Sequence, residues 1–187
     1  MEARDIERYL AELGAELKRR GIKQPIRLLL IGGAYMLLRE HATRTTDDID
    51  IFWLEGDTFQ QLRGILSECV LTITRRYTLR PDWFNYLSQV LMQNDIRIPT
   101  GKLWKRYGPL RIYIPPKEYI LALKILAGRT KDLADCAILL PQTNVRTRQQ
   151  AQQLLDQYIL PEAQEKNAEQ IENSLNKLFP NEAERRE

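Results

Sequence analysis

Two rhythms of apolar and polar positions run along this chain. Ile6, Leu10, Leu13 and Leu17 recur at helical spacing, with basic residues at the end of the run and Gly21 after it. Residues 4–20 are therefore predicted to form an amphipathic helix stopped by glycine. The rhythm then shortens. "PIRLLLI" (25–31) is a compact apolar run between Pro25 and the pair Gly32-Gly33, and reads as a buried strand. "AYMLLREHA" (34–42) predicts a short helix, capped at its end by His41, "TRTTD" a polar turn, and "DIDIFWL" (48–54) a second strand of alternating character.

The next third is less regular. Residues 57–76 predict a helix with Asp57 as N-cap, weakening toward the β-branched "VLTIT" end. "PDWFNYLSQVLMQ" (81–93) predicts another helix, with Pro81 in its first turn. "KLWKRYGPLRIYI" (102–114) holds two strand-like runs around Tyr107-Gly108-Pro109. From Lys117 onward the pattern is helical, interrupted at Gly128, and ends in the polar "PNEAERRE", where fraying is expected. The fold class is thus α+β (α/β): a small mixed sheet flanked by helices over residues 1–116, followed by a helical C-terminal region over 117–187.

Composition narrows the chemistry. No apolar run reaches the length of about eighteen residues that a membrane span needs, and the charged start "MEARDIERYL" does not resemble a signal peptide. A cytoplasmic protein with no membrane partner is expected. Cys69 and Cys136 stand far apart, outside any Cys-x-x-Cys pair, and His41 is the only histidine. A zinc site or a Ser-His or Cys-His dyad therefore has too few residues to draw on. Chemistry is left to carboxylates, lysines and a metal. The net charge of +3 is uneven: residues 161–187 carry seven Glu against two Lys and two Arg, leaving about +6 on the first 160 residues. A moderately basic body suits a polyanionic ligand such as a nucleotide or RNA.

Asp48 and Asp50 fall two apart on a predicted strand, so they share a face and lie about 7 Å apart at Cα. Phe52 continues that face, while Ile49, Ile51 and Trp53 take the other. Two carboxylates so placed repel unless a cation sits between them. Mg²⁺ prefers carboxylate oxygens completed by substrate phosphate. A solvated strand face, or satisfaction by Arg44, is the plain alternative. Gly32-Gly33 between strand and helix lets a ligand approach the backbone and opens helix N–H groups to an anion. Lys102, Lys105, Arg106 and Arg111, with Trp104 and Tyr107 interleaved, form a basic-aromatic stretch able to meet RNA phosphates and bases, against the plainer reading of a solvated hairpin face.

The order strand, Gly-Gly, helix, Asp-x-Asp on the next strand resembles the nucleotidyltransferase superfamily of the DNA polymerase beta type. The block Ile31-Gly32-Gly33 followed by Arg44-Thr45-Thr46-Asp47-Asp48-Ile49-Asp50-Ile51 is similar to the bacterial branch of abortive-infection toxin nucleotidyltransferases and their relatives. Lys124 to Asp135, "KILAGRTKDLAD", resembles a second segment of that branch, and Asp82-Trp83-Phe84-Asn85 a stretch between the two. The resemblance implies an enzyme that moves a nucleoside monophosphate from an NTP to a hydroxyl on RNA, tRNA or a protein, in a toxin–antitoxin setting with a cognate partner. It implies Mg²⁺ (or Mn²⁺) on Asp48 and Asp50, and nucleotide contacts from Gly32, Gly33, Arg44 and Thr46. It also implies a triphosphate contact from Lys124 and a carboxylate from Asp132 or Asp135. On one continuous helix Lys124, Gly128, Lys131 and Asp135 would share a face, with Lys131 and Asp135 forming an ordinary i,i+4 pair and Arg129 capping the break. The runs 102–107 and 110–114 hold no acid, and Tyr86 stands where relatives place one after the Trp-x-Asn stretch. Asp132 or Asp135 completes the site, or the chain is a non-catalytic, antitoxin-like binding protein on the same scaffold.

Overall fold

The structure, a computed structural model, describes residues 1–54, 56–86 and 95–180, with the side chains of 56–60 also outside the described part. The chain forms two compact units. Unit 1 takes Met1–Leu91 and Gly101–Pro115, and unit 2 takes Met92–Thr100 and Pro116–Glu187.

Unit 1 is built on a mixed sheet. Its strands are β1 (Ile26–Leu30), β2 (Ile49–Trp53), β3 (Phe84–Asn85), β4 (Lys102–Tyr107) and β5 (Leu110–Ile114), in the spatial order β3-β2-β1-β5-β4. β1 runs antiparallel to β2 and parallel to β5, β2 is parallel to β3, and β4 and β5 form an antiparallel hairpin. The α+β class expected from the sequence is what the chain adopts. Helices α1 (Ala3–Arg19), α2 (Gly32–Arg39) and α3 (Gly56–Tyr77) complete the unit.

α1 buries the predicted stripe Ile6, Leu10, Leu13 and Leu17. Its Gly14 abuts β4 so tightly that a Cβ there would lie 2.2 Å from the Tyr107 carbonyl oxygen. Glu7 pairs with Lys105 of β4 at 2.7 Å, which fixes α1 on the sheet face that Lys105 occupies. α2 ends at Arg39, and His41 follows it, exposed and with φ of 53°.

α3 stays helical through the β-branched stretch where the sequence reading weakened. Leu62, Leu66, Cys69, Val70 and Ile73 are all buried, and burial of that stripe outweighs the small propensity penalty of Val, Ile and Thr. The hydroxyls of Thr72 and Thr74 donate to the carbonyls of Glu68 and Val70, four residues back, at 2.9 and 2.8 Å. The Asp57 side chain, expected as the N-cap, lies outside the described residues, and the helix itself begins at Gly56.

The helix expected over 81–93 is corrected in its first part. Pro81 opens a turn, closed by the Trp83 N–H donating to the Arg80 carbonyl at 3.2 Å, which is the place where proline's fixed φ is favoured. Phe84 and Asn85 then pair in parallel with Ile49 and Asp50. Trp83 is buried, and its indole N–H donates to Thr74 Oγ1 at 2.9 Å. An aromatic pair following a Pro-Asp turn therefore adds an edge strand to the sheet. Residues 87–93 of that expectation lie outside the described residues.

Unit 2 is helical: α4 (Lys117–Ala127), α5 (Thr130–Leu139), a 3-10 turn (Leu140–Gln142), α6 (Arg148–Tyr158), α7 (Pro161–Lys166) and α8 (Ala168–Leu178). Gly128 breaks α4 from α5 in a left-handed conformation with φ of 57°, a position at which glycine avoids Cβ strain. Thr147 and Gln150 form a reciprocal capping box at the start of α6, at 3.2 and 3.1 Å. Tyr119 and Tyr158 meet edge to face with centroids 5.1 Å apart among the apolar side chains of α4 and α6. Tyr158 is thus a core residue, and Phe179 is the C-cap of α8. The segment around Ile96 docks into this unit, with Ile96 bridging Ile159 and the Arg97 N–H donating to the Tyr158 carbonyl at 2.8 Å.

Candidate functional site

β1 delivers the chain to Ile31, whose N–H donates to the Asp50 carbonyl at 3.0 Å and so ties the end of β1 to β2. Gly32 and Gly33 follow at the start of α2. Gly32 has φ of 67°, in the left-handed region, and a Cβ added to it would lie 2.4 Å from Asp50 Oδ2. A Cβ on Gly33 would lie 2.5 Å from Thr46 Oγ1, with Arg44 Nη1 at 4.0 Å. Each glycine is therefore required by a different polar neighbour. The two positions bring backbone amides up against a carboxylate on one side and a hydroxyl and guanidinium on the other.

Asp48 and Asp50 are half-buried, whereas Ile49, Ile51, Phe52 and Trp53 are buried, so the polar end of β2 stands at the rim of an otherwise covered strand. Thr46 is itself buried, and its hydroxyl lies 3.1 Å from the Asp48 carbonyl and 3.4 Å from Asp48 Oδ1. The loop thereby holds the Asp48 side chain beside the Gly33 contact. Leu29 pairs with Phe52, and strand alternation puts Asp48, Asp50 and Phe52 on one face together with Arg27 and Leu29. α1 lies on the other face, because its partner Lys105 pairs with Ile112 of β5, an inward neighbour of Leu28.

Sequence reasoning missed Asn85. Its Nδ2 donates to Asp50 Oδ1 at 2.8 Å from the edge strand beside β2. The strand next to the Asp-x-Asp pair thus brings a neutral amide to the place where a further acid would crowd Asp50. The only available signal was the segment Asp82-Trp83-Phe84-Asn85, and a helical reading of it hid the contact. Tyr86, the next residue, shares a 2.7 Å hydrogen bond with Ser67 of α3. Among the described residues no group of three or more His, Cys, Asp or Glu side chains is placed to hold a metal.

In unit 2, Lys124, Asp132 and Asp135 come together, but not by way of one continuous helix. The left-handed turn at Gly128 folds α5 back so that Lys124 Nζ lies 2.8 Å from Asp132 Oδ1 and 2.8 Å from Asp135 Oδ2. All three side chains are buried, at 7, 0 and 1% exposure. Arg129 adds a 2.5 Å contact from Nε to Asp132 Oδ2, so it caps α5 and pairs with its first turn at once. Burial alone would raise the Asp132 carboxyl, but hydrogen bonds from Arg129 and Lys124 overcome it and hold the group below its ordinary value. The neighbouring Cys136 thiol is pushed up to about 12, chiefly by burial. Asp135 faces Lys124, and Lys131, its expected partner, is exposed.

A family model described as "Nucleotidyltransferase of unknown function (DUF6036)" matches residues 8–145, which takes in the glycine pair, both aspartates, Asn85 and the Lys124–Asp135 corner. No curated protein and no solved structure matches the chain. The matched region spans well over half of the sequence, and the chain belongs to this nucleotidyltransferase family.

Proposed function

We propose that the chain transfers a nucleoside monophosphate from an NTP to a hydroxyl acceptor, with pyrophosphate leaving. The observation that carries this reading is the double contact of the glycine turn. Gly32 is pressed against Asp50 and Gly33 against Thr46, with both aspartates on the same strand rim. Amides of Gly32-Gly33 would cradle the β- and γ-phosphates, with Arg44 and Thr46 ordering the loop beside them.

Two half-exposed carboxylates fit a single Mg²⁺ or Mn²⁺ that keeps water and substrate phosphate among its ligands, rather than a closed protein cage. Asp48 and Asp50 would hold it. When bound, such an ion neutralises charge on the transferring phosphoryl group. Asn85 fixes the Asp50 carboxylate by its amide, so that the oxygen facing Gly32 is the one presented toward the turn. The acceptor oxygen attacks the α-phosphorus, the bond to the β-phosphate oxygen breaks, and the acceptor proton is lost to solvent. The acceptor class we favour is RNA, including tRNA, before a protein hydroxyl. A toxin–antitoxin role with a cognate partner, in a cytoplasmic setting, remains part of the proposal through the resemblance of the Arg44–Ile51 block. Among the described residues no helix is long and apolar enough to cross a membrane.

Lys124 bears on this reading through its charge. To meet a triphosphate it would have to leave two buried carboxylates, each 2.8 Å away. That pairing favours a role in holding the α4–α5 corner, with Asp132 and Asp135 as its partners.

A second reading, a nucleotide- or partner-binding protein without transfer, is motivated by the missing third carboxylate: β4 and β5 hold no acid, and Tyr86, where the resemblance would place one, is hydrogen-bonded to Ser67. One experiment separates the two. The purified chain is incubated with Mg²⁺, each α-labelled NTP and total RNA, alongside Asp48→Ala. Label on RNA or protein that disappears in the variant supports transfer. An NTP-dependent thermal shift without label supports nucleotide binding alone, and no shift with any NTP would sink the transfer reading and leave only partner binding.

A further inference from the structure

Strand register assembles a feature that the linear sequence disperses. Arg27 on β1 is the partner of Arg111 on β5, and Arg111 is the partner of Arg106 on β4. Three guanidinium-bearing residues therefore stand in one row across three adjacent strands, at steps of about 4.8 Å. The row above it is apolar and aromatic: Leu29, Tyr113 and Leu103. The Arg27 guanidinium lies 5.0 Å from the Tyr113 ring centroid, which links the two rows. Lys105 does not belong to this patch, because a register shift between Leu103 and Lys105 turns it to the α1 face, where Glu7 takes its charge. Tyr107 follows it there, against Gly14. The basic stretch read from the sequence is thus split by the fold, and half of it is replaced by an arginine from another strand.

Like charges directly opposite one another destabilise a sheet unless an anion lies across them. Arg106 is exposed and Arg111 half-buried, and among the described residues neither has an ion-pair partner. Alternation places the row on the face that carries Asp48 and Asp50. Asp50 lies level with Ile31, four residues beyond Arg27, which is about 13 Å along the sheet. A string of phosphates is the anion whose repeated charges match a row of guanidiniums, and arginine holds phosphate by paired N–H donors.

We propose that Arg106 and Arg111, in row with Arg27, bind the phosphodiester backbone of a nucleic-acid acceptor and lead its end toward the Asp48–Asp50 rim. The backbone contact stands on register and charge alone. The word acceptor rests on the nucleotidyltransferase reading above.

The test uses the full chain and two fluorescein-labelled single strands of one mixed sequence, one RNA and one DNA. Anisotropy is followed over a salt series without NTP or divalent ion. The wild type should bind with affinity that falls steeply with salt. Arg106→Ala/Arg111→Ala should bind about tenfold more weakly and lower the salt slope by about 1.4, two phosphates' worth on a single strand. The Lys pair at the same positions should restore most of the slope, since each keeps its point charge. Thermal melts of both double variants should match the wild type. Tighter binding of RNA assigns the row to RNA, and equal binding assigns it to the shared backbone. No binding of either strand, or unchanged binding in the alanine pair, overturns the proposal, as does equal competition by polyglutamate. Asp48→Asn, which removes a negative charge where the strand's end arrives, should bind no more weakly than the wild type. Absence of any NTP response in the wild type, with strand binding retained, would defeat the transfer reading while leaving this one standing.

Discussion

At the scale of single residues, Asn85 sets the character of the rim. Asn85→Asp would place a second carboxylate 2.8 Å from Asp50 Oδ1 in place of an amide donor. Without divalent ion the variant should melt below the wild type. With Mn²⁺ the difference should shrink, because Mn²⁺ would bind about tenfold more tightly, roughly 1.4 kcal/mol. Calorimetric titration of Mn²⁺ checks both halves, and equal affinity for the two proteins would remove Asn85 from the site. Gly32 makes a second residue-scale prediction. Gly32→Ala combines a left-handed strain of about 1–2 kcal/mol with a Cβ 2.4 Å from Asp50 Oδ2. It should abolish the NTP-dependent thermal shift while leaving a folded protein by circular dichroism. The two glycines and two aspartates were legible in the sequence because their order along the chain is also their order in space. Asn85 was not, because its significance comes from the strand it lies beside.

At the scale of elements, the α4–α5 corner shows what periodicity can and cannot give. Helical counting put Lys124 and Asp135 on one face, and they do meet, but across a left-handed turn at Gly128 rather than along one helix. The outcome is a compact ion cluster, and removing one partner of such a buried pair costs about 3 kcal/mol or more. Asp132→Asn should therefore be destabilised by that order at neutral pH in urea unfolding. The sign of its pH dependence follows from the depressed carboxyl. Its stabilisation is fully present above the unfolded carboxylate value near pH 3.9 and is lost as pH falls through the lower folded value. The variant should lose that part of the acid limb, so its stability curve should be flatter than the wild type's below about pH 4. Lys124→Met decides the role of the lysine. Lost stability with unchanged NTP affinity in the folded protein assigns it to the corner, and lost affinity with unchanged stability assigns it to the triphosphate. The edge strand β3 was misread as helix, and the reading of α3 weakened in its second half, for a common reason. Both are settled by tertiary burial, of Trp83 in one case and of Cys69, Val70 and Ile73 in the other, which local propensity does not see.

At the scale of the whole molecule, the chain visits its two units in alternation. It leaves unit 1 at Leu91, spends Met92–Thr100 in unit 2, returns for the β4–β5 hairpin, and crosses again after Pro115. β5 lies inside the sheet, between β1 and β4, so unit 1 cannot complete its sheet until residues 110–114 have been made. Ile96, buried at 4% exposure and bridged to Ile159, waits longer still for its partner. Every break in the gene between these segments therefore divides one unit from part of itself: a cut after residue 91 takes the hairpin from the sheet, and a cut after residue 115 takes Ile96 from its helices. Such a pair of units cannot be exchanged by a single recombination event. A change at the rim is therefore tested in a chain that carries both units whole, since neither unit is one unbroken segment.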